Sequence, residues 1–151
     1  MYKGLTVSSR LLYFGIFLAC AGLIGFALYL QHQMHLEPCP MCIMQRYAFV
    51  LVGLLAGVAA LINPPRFLRV VFSLLIIVTA LAGAGVATRH SWLQHFPPKI
   101  PECGADLAYM VSEFPLATAL PKIFQGAGDC SQVQWTLLKL SIPEWALVCF
   151  I

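Results

Sequence analysis

The chain has 151 residues, of which 60% are hydrophobic and only 10% charged, with a net charge of +3. A soluble domain carries about 25% charged residues, so this composition excludes an ordinary soluble fold and points to a membrane. No basic cluster stands out, which sets a nucleic-acid partner aside.

From the N-terminus, Leu11 to Leu30 runs twenty residues without a charge. A helix crossing the hydrocarbon core needs about 20 apolar residues and must be helical, because lipid offers no partner to open backbone groups. A cleavable signal would have a shorter apolar region, about 7–15 residues, before a small-residue cleavage site. Here the run leads into "QHQMHLEP", so a retained span is expected over 11–30, followed by an outer loop over 31–42.

The segment "EPCPMCIMQRYAF", Glu37 to Phe49, opens a second span expected over 43–62. Pro40 suits the first helical position, where its missing N–H would be unsatisfied anyway. Cys39 then falls near the cap and Cys42 in the first turn, where free N–H groups and the helix dipole favour thiolate. Arg46 lies four residues beyond Cys42 and so on the same helix face. It is either a cation that further favours thiolate or a border residue that snorkels toward water. The short turn "NPPRFLR", residues 63–69, separates this span from a third over 70–88, nineteen residues without a charge.

Residues 89–143 carry six prolines and the glycine-rich "QGAGDC", and are expected to form a long irregular loop holding Cys103 and Cys130. At its end, Ser141 with Glu144 three residues later reads as a capping box. Eight residues from Glu144 to Ile151 rise about 12 Å, short of the roughly 30 Å core. A fourth span over 144–151, incomplete as it stands, is expected to continue beyond Ile151.

Charge sets the expected orientation. Lys3, Arg10, Arg66 and Arg69 fall on one side with no acidic residue, whereas all six acids fall on the other side or at its border. Lys and Arg in short loops mark the cytoplasmic side, so the N-terminus is expected inside and the thiol-bearing loops outside. Cys20 and Cys149 lie within spans and read as small buried hydrophobes. Cys39, Cys42, Cys103 and Cys130 lie on the outer side, where an even number of thiols in an oxidising compartment points to disulfides. Within the long loop, Cys103 and Cys130 could be a staple or a mobile pair that exchanges electrons with Cys39 and Cys42.

The motifs "PCPMCIMQR", "RHSWLQ" after the third span, "GDCSQVQW" around Cys130 and "IPEWAL" before the last helix resemble the disulfide bond formation protein B (DsbB) family. These are thiol oxidases of the bacterial inner membrane, and the resemblance covers nearly the whole chain. It implies an all-α bundle of four transmembrane helices with a long, irregular second periplasmic loop. It implies redox-active disulfides Cys39–Cys42 and Cys103–Cys130, with Cys103 the sulfur attacked by a reduced DsbA-like periplasmic partner. It further implies a quinone, ubiquinone or menaquinone, beside Cys42, Arg46 and His90, and no metal.

Three rivals stand beside this reading. A zinc site built from Cys39, Cys42, Cys103 and Cys130 needs closer spacing in the second pair than the chain offers. A structural four-helix protein with two staples predicts no quinone reduction. The vitamin K epoxide reductase family is also quinone-linked, but there the loop cysteines precede the Cys-x-x-Cys pair; here they follow it.

Overall fold

In a computed structural model, the described residues are 9–35, 38–97, 133 and 135–151. Four helices are seen among them: α1 (Ser9–Gln33), α2 (Pro40–Ile62), α3 (Arg66–His95) and α4 (Ile142–Phe150), with a two-stranded ribbon, β1 (Thr136–Leu137) and β2 (Leu140–Ser141), ahead of α4. The helices pack in sequence order, α1 on α2, α2 on α3 and α3 on α4.

Three helices, of 25, 23 and 30 residues, are long and apolar enough to cross a membrane. They overrun the expected spans because the hydrocarbon limits the apolar run, while caps and prolines limit the helix. Thus α2 begins at Pro40, with Cys39 as its cap, and ends where Asn63 adopts a left-handed conformation (φ 46°) and returns its N–H to Ala59 O. Pro64 and Pro65 follow, and Pro65 caps α3. Thirty residues of α3 rise about 45 Å, so its last turns project past the hydrocarbon and carry His90 and His95.

Both described ends of the stretch 89–143, expected to be irregular, are regular. Residues 89–95 continue α3, and the ribbon pairs Thr136 with Ser141 and Leu137 with Leu140. Its turn residues Leu138 and Lys139 both have positive φ (53° and 69°), the twist that two-residue hairpins favour. At the start of α4, Glu144 Oε2 accepts from the Ser141 N–H at 2.7 Å, as the capping signature anticipated.

The bundle is held by close approach and stacking. On α2, an added Cβ at Gly53 or Gly57 would lie 3.0 Å from Cys20 or Phe17 of α1, and small residues four apart allow this kind of helix contact in lipid. On α3, a Cβ at Gly83 would run into the Phe150 ring. Phe150 also stacks on Phe49 of α2, with centroids 4.0 Å apart, a pairing worth about 0.5–1.5 kcal/mol beyond its buried area. Large side chains such as Leu12, Leu54, Leu61 and Leu81 point outward, which suits a surface solvated by lipid tails.

Candidate functional site

The chemically active residues gather where α2 begins, at the end of the bundle opposite Arg10, Arg66 and Arg69. Cys39 is extended (φ −64°, ψ 160°) and its sulfur caps α2, accepting from the Cys42 N–H at 3.4 Å. Capping by a thiol turns the Cys39 sulfur back over the first helical turn, toward Cys42. Cys39, Pro40 and Met41 are buried, and Cys42 is half-buried.

The facing wall comes from α3. His90, 2% exposed, presents its two ring nitrogens to two different sulfurs. Its Nε2 lies 3.6 Å from Cys39 Sγ, and its Nδ1 lies 4.0 Å from Cys42 Sγ. The Gln45 amide nitrogen sits 3.2 Å from the same Nδ1, and Gln45 is 3% exposed. The reactive atoms of Cys39, Cys42 and His90 all lie within 4.8 Å of one another. A buried imidazole touching two thiols can hold or release a proton while sulfur chemistry proceeds.

On its other side Cys42 meets an apolar cavity of about 250 Å³, lined by residues of α1, α2, α4 and the ribbon. Arg46 lines it too, as do Phe49, Trp135 and Trp145. The Arg46 guanidinium is held from α1: Nη1 donates to Gln31 Oε1 at 2.5 Å and Nη2 to the Ala27 carbonyl at 3.3 Å. Above the cavity, Trp135 stacks edge-on against Phe26 at 5.8 Å, and Trp145 donates to Leu137 O at 3.0 Å. His95 Nε2 stands 3.7 Å from Glu144 Oε1, joining the end of α3 to the cap of α4.

Cys39, Cys42 and His90 thus come together, with Arg46 one turn below Cys42 on the cavity side. The resemblance set His90 beside a quinone; in the structure it lies against the two sulfurs, one of which, that of Cys42, lines the cavity. Cys103 and Cys130 lie outside the described residues. Cys20 is buried as expected, but Cys149 is not. It is exposed and contributes to the cavity wall, because it lies on the face of α4 that looks into that space. Sequence reading assigned no role to Gln45 or Gln31. The signal for Gln45 was present: a polar residue within an apolar span is costly and marks a functional position by default.

The fold and the site define a helical membrane protein that holds a Cys-x-x-Cys pair at one end of its bundle. The family model described as "Disulfide bond formation protein DsbB" matches residues 9–151. Curated relatives named "Disulfide bond formation protein B" include that of Aromatoleum aromaticum, 58% identical over 94% of this chain and 86% of the relative. That of Azoarcus sp. is 55% identical over 93% and 85%, and that of Hahella chejuensis 51% identical over 96% and 88%. The chain belongs to the DsbB family of disulfide bond formation proteins, which makes it a disulfide-forming membrane oxidoreductase.

Proposed function

We propose that this protein is a thiol:quinone oxidoreductase of the bacterial inner membrane, which reoxidises a soluble DsbA-like periplasmic thiol oxidase and passes the electrons to ubiquinone or menaquinone. The observation that carries the reading is that Cys42 and the cation Arg46 line one apolar cavity of about 250 Å³ at the thiol end of the bundle. The lining fits a flat apolar ring with polar oxygens: Phe49 and Trp145 offer apolar faces, and Arg46 offers donors.

When bound, the quinone supplies a lipid-soluble acceptor of two electrons and two protons. Arg46, fixed by Gln31 and the Ala27 carbonyl, orients that acceptor and favours negative charge on the cavity side of Cys42. The partner dithiol attacks the Cys103–Cys130 disulfide at Cys103. Each exchange makes one S–S bond for the one it breaks, so the partner leaves oxidised and Cys103 and Cys130 hold the two electrons. The same exchange passes them to Cys39–Cys42, which returns to the disulfide by giving up two electrons and two protons. An external acceptor is required because a DsbA-type oxidase lies near −120 mV and ordinary structural disulfides below about −300 mV. Driving the partner with an ordinary disulfide would climb roughly 180 mV, or about 8 kcal/mol for two electrons.

The orientation proposed with this function puts the N-terminus in the cytoplasm and Cys103 and Cys130 in the periplasm. After reduction, an impermeant maleimide should label both loop cysteines on intact spheroplasts; labelling only in inverted vesicles would reverse the orientation. The function itself is tested with purified protein, reduced soluble partner and a short-chain quinone, following quinone absorbance. Stoichiometric quinone loss that Cys42→Ser abolishes is expected. No quinone consumption by the wild-type protein would refute the reading.

A further inference from the structure

Gln45 is buried at 3% exposure, on the α2 face that also carries Cys42, and among the described residues its side chain meets His90. The atom it turns toward His90 Nδ1 is its amide nitrogen, 3.2 Å away. An amide nitrogen only donates, so Nδ1 must accept, and the ring proton of neutral His90 then sits on Nε2. Nε2 is the nitrogen that faces Cys39 Sγ at 3.6 Å. The unprotonated Nδ1 also lies 4.0 Å from Cys42 Sγ.

We propose that Gln45 is a positioning residue that sets the tautomer of His90, so that Nε2–H points at Cys39 and Nδ1 carries no proton and can take that of Cys42 as the Gln45 amide turns away. This rests on the disulfide-forming role of Cys39 and Cys42 proposed above. Oxidising the dithiol releases two electrons and two protons. The electrons leave through Cys42 to the quinone acceptor, one proton moves from Cys42 Sγ to His90 Nδ1, the other is lost from Cys39 Sγ to water as the S–S bond forms, and the acceptor takes up two protons in turn. The residue type is informative. Once Nδ1 is protonated it becomes a donor, and glutamine can turn its amide over and accept through Oε1. Glutamine therefore serves both protonation states of His90 at the cost of one rotation. Leucine would serve neither, and glutamate, ionised, only the protonated one.

Among the described residues, the titratable groups that face His90 from α2 are Cys39 and Cys42; on α3 its neighbour is Arg89. The other charges near this end are engaged elsewhere: Arg46 with Gln31 and Glu144 with Ser141. A carboxylate at position 45 would thus be a new opposite charge against the ring. It would hold His90 protonated to higher pH, by roughly 1–3 pH units, and the rising limb of Cys42 reactivity would move upward with it.

The test uses the full chain, reduced, in nanodiscs. Ring ¹⁵N signals of His90, assigned by their loss in His90→Asn, should show Nε2 protonated and Nδ1 bare in the wild type at neutral pH. In Gln45→Glu, Nδ1 should be protonated, and the pH dependence of Cys42 alkylation by iodoacetamide should shift up by about one pH unit or more. Gln45→Leu should populate both tautomers and slow quinone reduction roughly tenfold with no upward shift of the limb. A protonated Nδ1 in the neutral wild-type ring, or a Gln45→Glu limb that coincides with the wild type in folded protein, would overturn the assignment. Alkylation and ring signals need neither quinone nor soluble partner. If they behave as expected while quinone is not consumed, the positioning role stands and the quinone function fails.

Discussion

At the end of the bundle that carries Arg10, Arg66 and Arg69, the helices are joined by stops and by contacts to backbone. Asn63 turns left-handed, two prolines reset the chain, and Tyr13 of α1 reaches across to the Arg69 carbonyl at 3.2 Å and to Ser73 Oγ at 2.8 Å. At the opposite end, the contacts run between groups that can react: a thiol capping a helix, an imidazole between two sulfurs, and a guanidinium tied to a neighbouring helix. The first kind fixes geometry and nothing else. The second fixes geometry by means of the reactive atoms, so those atoms cannot be exchanged without changing the chemistry. The two ends should therefore respond differently to substitution, one in stability and the other in turnover.

The largest expected effect lies at the thiol end. If Cys103–Cys130 receives electrons from the soluble partner, Cys103→Ser with Cys130→Ser should abolish turnover with that partner. A small reductant able to reach Cys39–Cys42 should still drive quinone reduction through the same protein. Full turnover with the soluble partner would leave the loop pair a staple. The single change Cys130→Ser sharpens the result: with its resolving thiol gone, Cys103 should trap the oxidised partner as a mixed disulfide, visible on non-reducing gels.

Next comes Arg46→Ala, which removes charge-assisted contacts at a half-buried site. A charge-assisted contact of this kind is worth about 1.5–3 kcal/mol, so losing the one offered to quinone should raise its KM roughly tenfold to hundredfold, while losing the bonds to Gln31 and the Ala27 carbonyl should lower the unfolding temperature. Unchanged quinone kinetics would make Arg46 a border anchor that merely fastens α2 to α1 through Gln31.

How much of this was legible in the sequence follows from the same contrast. Spans, caps and turns are local: an apolar run, Pro40 after Cys39, the "NPPR" turn and the Ser141–Glu144 box each carry their own signal, and each forms in the structure. The site is half local. Cys42 and Arg46 share a helix face by spacing alone, and both meet the cavity. The part that was not legible depends on α3 packing against α2. Only that packing brings His90, 48 positions from Cys42, between the two sulfurs, and only then does Gln45 acquire a partner. Gln31 likewise gains its meaning from a contact across helices, and the exposure of Cys149 from the cavity it faces, neither of which spacing along one helix reveals.

A third substitution asks whether the middle of the bundle can be disturbed without reaching the thiols. Gly53→Val would put a branched side chain where an added Cβ alone would lie 3.0 Å from Cys20 Cβ. Overpacking of this kind costs about 1–3 kcal/mol, read as a lower unfolding temperature in detergent. Quinone reduction per folded molecule should hold. A loss of turnover with no loss of stability would mean that α1 and α2 transmit their spacing to the site through Arg46 and Gln31.

The smallest expected effect is Tyr13→Phe, at the end far from the chemistry. The hydroxyl is the one polar atom of a buried side chain that is 5% exposed, and it links α1 to both a carbonyl and a hydroxyl of α3. Removing it leaves the ring, and so the packing, in place. The carbonyl of Arg69 lies near the start of α3, and Ser73 Oγ, one turn on, can turn to bond within its own helix; neither group need be left unsatisfied. The net loss should be that of one ordinary hydrogen bond, about 0.5–1.5 kcal/mol, with KM for quinone and the pH dependence of Cys42 alkylation unmoved. Because Tyr13 is the described side-chain link between α1 and α3 at this end, a change in either kinetic quantity would show that the two ends are coupled through α3, the helix that carries both Ser73 and His90. Equal kinetics with a slightly lower unfolding temperature would keep them separate, with stability set at one end and reactivity at the other.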